Sequence, residues 1–367
     1  MLEGGGPVLC ALFPCSLLAA VIVHRSRTGP KKRVDKTLET DRHIYRGGSS
    51  RNWREIYDST TKEHRPTTKM SITSRKIAIV TGASSGIGYA ITKQLAEHNY
   101  IVYACARRLE PIAPLVKEFS ADVIKPYKLD ISNLDEITAF KAVLATELPG
   151  QKLDLLYNNA GQSCTFPALD VSDAAMQQCF QVNVFGHVNM CRELSSFLVN
   201  AKGTIVFTGS CAGIVSFPFG SIYSATKAAI HSYARGLHLE MKPFGVRVIN
   251  VVTGGVDTNI ADTRSLPEDS IYRFPEGQAA FEERQSMAKN HRPMSADVYA
   301  AKVMQDILSS RDPVDIYRGT MATFLGFVAM LVPYCILELG LIKKFHLTKV
   351  FKVLKEHSAS SAAKKQD

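Results

Sequence analysis

Residues 76–88 read KIAIVTGASSGIG, and the order of residue types in this stretch decides the fold. A β-branched run ends at Thr81, glycines follow at 82, 86 and 88, and helix formers continue to about Asn99. Glycine allows a tight turn, and the helix start behind it offers unpaired N–H groups and a partial positive charge. A glycine cluster alone is compatible with a merely structural turn. Strand, glycine turn and helix in that order instead make a receptor for a pyrophosphate.

The same alternation continues outward from this stretch. YIVYACA (100–106), DVIKPYK (122–128), LDLLYNN (153–159), GTIVFTG (203–209), VRVINVV (246–252) and VDIYRG (314–319) are separated by helix-length segments. Strands alternating with helices predict βαβ units and a parallel sheet covered on both faces. The expected fold is therefore α/β, a Rossmann-like, doubly wound, seven-stranded sheet in one domain over residues 74–318. A chain of 367 residues with 46% hydrophobic and 21% charged residues has globular composition, which excludes whole-chain disorder and a polytopic membrane protein. Since single cores stop growing near about 250–300 residues, the rest must be flanks.

The net charge of +10 belongs to those flanks. Residues 1–76 hold 15 Lys and Arg against 7 Asp and Glu, and residues 343–367 hold 7 against 2, whereas residues 77–342 hold 22 against 25. A nucleic-acid-binding protein would carry its basic patch on the folded unit, so none is expected as a partner. Both basic flanks adjoin apolar runs, which points to a membrane surface. In the apolar segment 1–23 the positive charges follow the run rather than precede it, unlike a signal peptide. Anchor, targeting segment and an appendage preceding a true start at Met70 all remain open, and residues 24–73 read as a basic polar linker. At the other end, residues 319–342 form an apolar segment, uncharged from Gly319 to Leu337, before the basic tail 343–367. It is long enough to span a bilayer, with Pro333 as a kink, although Glu338 favours a shallow pose. The alternative is a helix that packs on the sheet or on a second copy of the chain. Eight scattered cysteines lack zinc spacing and read as reduced, so no metal site is expected and the catalytic domain is expected to face the cytosol.

The glycine spacing is TGxxxGxG rather than GxGxxG, and here the sequence resembles the short-chain dehydrogenase/reductase family over residues 76–318. The resemblance is carried further by Asn158-Asn159-Ala160-Gly161, by Asn183 in NVFG, by Ser210 after the fifth strand, and by Tyr223-Ser-Ala-Thr-Lys227. The physical logic of these positions stands beside it. Tyr223 and Lys227, at i and i+4, share one helix face, and an ammonium near a phenol favours the phenolate. Ser210, at a strand end, can hydrogen-bond a substrate oxygen as negative charge develops. The resemblance implies that Asn183 holds a water linking Lys227 to solvent.

It also implies a nicotinamide cofactor held by Gly82, Ser84, Ser85, Gly86, Ile87, Gly88, Tyr223 and Lys227, with Asp130 at the adenine and Asn158 stabilising the sheet beside it. The second strand ends in Arg107 and Arg108 with no acid in reach, which selects NADPH/NADP, since a guanidinium suits the 2′-phosphate. Val256 and Thr258 are expected at the nicotinamide end, although Thr253 replaces the family's usual proline ahead of them.

Residues 210–272 narrow the match toward those members of the family that reduce 1-acyldihydroxyacetone phosphate to 1-acylglycerol 3-phosphate. That would be a step of phospholipid biosynthesis at the endoplasmic reticulum or lipid droplet, on a lipid-like ketone. The loop 254–293 supplies Arg264, Arg273, Arg284, Lys289, His291 and Arg292 as cations for a phosphomonoester, each of them equally compatible with a solvated surface charge. Two other activities stay open: reduction of a steroid or retinoid by the same residues, and lipase or esterase chemistry, because residues 82–86 satisfy GxSxG with Ser84 as nucleophile.

Overall fold

The structure, a computed structural model, describes residues 75–290 and 292–363. The apolar segment 1–23 and the linker 24–73 lie outside the described residues, as do Cys10, Cys15 and His291.

β1 (Lys76–Thr81) leads through the glycine turn into α1 (Gly86–Glu97), and β2 (Tyr100–Ala106), α2 (Ala113–Phe119), β3 (Ile124–Lys128), α3 (Leu134–Glu147) and β4 (Leu155–Asn158) follow. The chain continues as α4 (Asp173–Phe180), α5 (Gly186–Ala201), β5 (Thr204–Thr208), α6 (Ser221–Met241), β6 (Arg247–Thr253), α7 (Pro275–Asn290), α8 (Ala296–Leu308) and β7 (Asp315–Arg318). It ends in α9 (Ala322–Leu331), α10 (Tyr334–Lys344) and α11 (Leu347–Ala363).

All seven expected strands are present and form one parallel sheet in the order β3-β2-β1-β4-β5-β6-β7. The order reverses between β1 and β4, where Ala78 pairs with Leu155 and Val80 with Tyr157. A doubly wound sheet opens a crevice at such a switch point, beyond the carboxyl ends of its strands.

Strand alternation sends the residues of β1 to two cores. Ala78 and Val80 pack with Ile91, Leu95 and Val303 on the side of α1 and α8. Ile77 and Ile79 pack with Phe140, Leu194 and Ile230 on the side of α3, α5 and α6. Burial on both faces is why the strand reads as a continuous apolar run, and truncating Ile79 to Ala would cost about 2–5 kcal/mol.

The apolar run after β7 is broken rather than kinked. Proline cannot donate the next helical hydrogen bond and pushes its predecessor out of the helical region; Val332 sits at φ −95° and ψ 123°, ending α9. At about 1.5 Å per residue, α9 and α10 are each about 15 Å long, roughly half a hydrocarbon core. Among the described residues no helix is long and apolar enough to cross a membrane. Instead α11 places Val350 against Phe219, Leu266, Ala280 and Phe281, fastening this segment to the loop before α7 and to α7 itself.

Candidate functional site

The crevice at the switch point holds a cavity of about 950 Å³ that extends from the glycine turn to α9 and α10. Its floor is the turn itself. Gly82 has φ +67°, and a Cβ there would lie 2.9 Å from the Ala160 Cα; a Cβ on Gly88 would lie 2.2 Å from the Gly82 carbonyl oxygen. Gly82 thus permits the turn, while Gly88 lets α1 pack onto it. Ser85 stands extended at the N-cap without a side-chain capping bond, and the first turn of α1 carries no acid. Its N–H groups and dipole are therefore left to an anionic ligand, which fits a dinucleotide's pyrophosphate. Asn159 ties this turn to the middle of the sheet: its Nδ2 donates to the carbonyls of Thr81 (3.0 Å) and Gly82 (3.3 Å), and its Oδ1 accepts from Thr208 (3.2 Å).

Gly82, Ser84, Ser85, Gly86, Ile87, Arg107, Arg108, Asp130, Ser210, Tyr223, Lys227, Val256 and Thr258 all line the cavity. Arg107 and Arg108 are exposed at the end of β2, and Asp130 orients its carboxylate by accepting from the Ser132 N–H at 2.9 Å. Thr258 sits over Gly86, where a Cβ would come within 3.0 Å of its methyl group. Thr253, in the position of the family's proline, is buried, and its hydroxyl meets that of Tyr299 at 2.7 Å. The substitution thus leaves the loop carrying Val256 and Thr258 in place.

Three expected site residues lie behind the wall. Gly88 acts through packing, as described. Asn158, expected beside the cofactor, is fully buried with its Nδ2 toward the Cys191 Sγ at 3.4 Å; successive residues of a strand point to opposite faces, so Asn159 takes the cavity side. Asn183 sits in a π-helical turn at Gln181–Phe185. Its amide bonds the Gln162 backbone from both ends, Nδ2 to the carbonyl at 3.0 Å and Oδ1 from the N–H at 2.9 Å, and Nδ2 also reaches Thr226 at 3.1 Å. Its side chain holds the loop after β4 in place.

The reacting groups meet at the end of β5. The Ser210 Oγ accepts from the Ala212 N–H at 3.1 Å, so its own hydrogen is free to donate into the cavity. Its backbone N–H donates to the Nε2 of His231 at 3.0 Å. Burial lowers the His231 pKa to about 4, so the ring is neutral and Nε2 can accept. His231 was not singled out from the sequence, yet it lies at i+8 from Tyr223 and i+4 from Lys227, on the same face of α6. Lys227 is buried and its Nζ donates to the Thr208 carbonyl at 2.9 Å, 5.8 Å from the Tyr223 ring centroid. Burial lowers its pKa to about 8.

Tyr223 differs from expectation. Burial dominates and raises its pKa, opposed by the facing Ser210 hydroxyl and by the Arg284 charge. The lysine ammonium is directed at a carbonyl, and the phenol stays protonated at neutral pH, the state a proton donor requires.

Of the remaining cations, Arg284 and Lys344 line the cavity, whereas Arg264, Arg273 and Arg292 do not. Arg264 is bound to Asp262, with Nε–Oδ1 at 2.9 Å, and lies over the Phe166 ring. The side chain of Lys289 and the whole of His291 fall outside the described residues. No histidine is among the described residues that line the cavity with Ser84, so the GxSxG reading finds no base there.

Comparison with known proteins agrees with this geometry. Residues 76–269 match the family model described as short chain dehydrogenase. A protein of Saccharomyces cerevisiae named NADPH-dependent 1-acyldihydroxyacetone phosphate reductase is 68% identical over 281 residues, covering 77% of this chain and 95% of the relative. A Schizosaccharomyces pombe protein of the same name is 33% identical, covering 59% of this chain and 74% of the relative. Among solved structures, a short chain dehydrogenase from Burkholderia cenocepacia in complex with NADP is 25% identical with a TM-score of 0.56, covering 73% of this chain and 97% of that one. The span matched by the family model holds the glycine turn, Ser210, Tyr223 and Lys227, and the chain belongs to the short-chain dehydrogenase family.

Proposed function

We propose that this protein is an NADPH-dependent reductase that converts the ketone of 1-acyldihydroxyacetone phosphate to the alcohol of 1-acylglycerol 3-phosphate. The observation that carries the reading is the shape of the cavity. One end is a polar cradle of glycine turn, Arg107 and Arg108; the middle presents two hydroxyls; the far end is walled by Leu325, Val328, Val332, Leu337 and Leu341, suited to an acyl chain. The 68% identity to the yeast protein of that name supports the choice of ketone.

NADPH, when bound, supplies the hydride that the ketone carbon takes up. Arg107 and Arg108 stand where they would hold the 2′-phosphate, and α1 presents its free N–H groups to the pyrophosphate. Ser210 donates its free hydroxyl hydrogen to the ketone oxygen, orienting it and stabilising the charge that grows there. Tyr223 then gives that oxygen its proton. Lys227, a cation held by the Thr208 carbonyl, offsets the negative charge left on the phenolate. Asn183, Asn159 and His231 are positioning residues for the loops that carry these groups.

The site also faces a membrane surface in this reading. Phe327, Met330, Leu331 and Tyr334 are exposed on α9 and α10, Met330 at 72%. Lys343, Lys349, Lys352 and Lys355 are exposed nearby in the chain on α10 and α11. Apolar side chains entering the lipid, with lysines at the anionic headgroups, favour shallow docking on the endoplasmic reticulum or a lipid droplet, and would open the acyl end of the cavity toward the substrate's own phase. Such docking is consistent with Glu338, which a spanning helix would bury at a cost.

NADPH oxidation by the purified protein tests the reading on 1-acyldihydroxyacetone phosphate, a steroid ketone and retinal in parallel. The acyl ketone phosphate should be preferred in kcat/KM by at least about 10-fold; a preference for the steroid or retinal would reject the substrate assignment.

A further inference from the structure

α7 brings one more charge into the cavity, and the reduction chemistry leaves it unused. Arg284 is 9% exposed, yet its guanidinium makes no hydrogen bond or ion pair among the described residues, and its Nε is buried without a partner. It lies over the Phe217 ring at 5.5 Å and fits there because residue 220 is glycine: a Cβ at that position would stand 3.0 Å from its Nη2. A guanidinium carries five donors in a rigid fork and keeps its proton in any protein environment. Burying that charge without a counter-charge is strongly unfavourable, so the arrangement implies an anionic ligand.

Among the described residues, the other cations that line this part of the cavity are engaged. Lys344 is paired with Glu283 at 2.9 Å, and Lys227 holds the Thr208 carbonyl. The pyrophosphate and the 2′-phosphate of the cofactor are served by the glycine turn and by Arg107 and Arg108. Arg284 instead lines the same cavity as Tyr223, its Nη2 against Gly220 just ahead of the helix that carries Tyr223. A ligand anion for it must therefore sit beside the reacting carbonyl.

We propose that Arg284 is the receptor for the phosphate of the substrate and the residue that selects a phosphorylated ketone over a neutral one. The inference rests on the reductase reading above. The phosphate is carried on the carbon next to the ketone, so a fork placed beside Tyr223 can grip it while the ketone oxygen faces Ser210 and Tyr223. With the phosphate fixed at Arg284, the acyl group is left to the apolar side chains of α9 and α10 that line the same cavity. The reacting carbon is thus placed by its two ends.

The experiment compares wild type, Arg284→Met and Arg284→Lys on 1-palmitoyl dihydroxyacetone phosphate and on 1-palmitoyl dihydroxyacetone. The NADPH dissociation constant and Tm are followed as controls; Met keeps the stem packed on Phe217. Wild type should prefer the phosphorylated ketone. Arg284→Met should lose about 10- to 100-fold in kcat/KM on it, mainly through KM, and at least about 10-fold less than that on the unphosphorylated ketone. Arg284→Lys should recover part of the loss as a point charge. If wild type prefers the phosphate but Arg284→Met keeps that preference, or loses equally on both ketones, the proposal is overturned while the reductase reading stands. A wild-type enzyme indifferent to the phosphate would also overturn the proposal, whereas one that reduces neither acyl ketone would overturn the reductase reading beneath it.

Discussion

Lys227 is the residue on which the chemistry and the stability of the site disagree. Its burial lowers its pKa to about 8, so in the free enzyme the ammonium persists below that pH. The kcat/KM for reduction should hold below about pH 8 and fall as pH rises through it. The sign for stability is opposite. The unfolded lysine titrates near about 10.4, so the unfolded state binds more protons between about 8 and 10.4, and this group's contribution to stability rises with pH across that window. Lys227→Met should therefore raise Tm by about 2–4 °C while turnover falls about 10²- to 10⁴-fold. A variant that melts lower and still turns over would contradict both halves. Tyr223 and Lys227 were readable as a pair because i, i+4 spacing on a helix is local geometry, and Ser210 joined them through the family resemblance. The parity of a strand end is not, which is why Asn159, the residue of the pair that lines the cavity, was not singled out beside Asn158. Arg284 was one of six candidate cations in its loop; what sets it apart is burial, created by Phe217 and Gly220 from elsewhere in the chain.

At the level of elements, the seven strands were legible because both faces of a parallel sheet are buried and each strand becomes an unbroken apolar run. The segment after β7 was harder, since an apolar run of that length suits a spanning helix as well as a packed one. Pro333 decides in favour of two short helices, and the inner sides of α9 and α10 become cavity wall. Their outer sides keep Phe327, Met330 and Leu331 exposed and outside the cavity lining. Replacing these three by Ser should weaken cosedimentation with vesicles of phosphatidylcholine and phosphatidylserine by about 10-fold or more, given roughly 1.5–3 kcal/mol for a fully buried large apolar side chain. Turnover of a short-chain, water-soluble acyl ketone phosphate should be unchanged. Unaltered vesicle binding would remove α9 and α10 as the docking face.

For the whole molecule, the charge of +10 separates into a slightly acidic catalytic domain and basic flanks, of which the carboxyl-terminal one includes the end of α10 and α11. No nucleic-acid role follows from it; the cations that bear on chemistry are few and individually placed. Arg107 and Arg108 line the cavity from the end of β2, Lys227 from α6, and Arg284 from α7. Such placement depends on the packing of β2, α6 and α7 around one crevice, which total charge does not encode. In the proposed reaction this crevice passes hydride to a ketone while Tyr223 supplies the proton. The most direct test is the fate of deuterium from the transferable C4 position of labelled NADPH, followed by mass spectrometry of the 1-acylglycerol 3-phosphate formed. One deuterium should appear on the former ketone carbon with the wild-type protein, and Tyr223→Phe should form no product while still binding NADPH. Product lacking deuterium, or labelled product from Tyr223→Phe at the wild-type rate, would contradict the account.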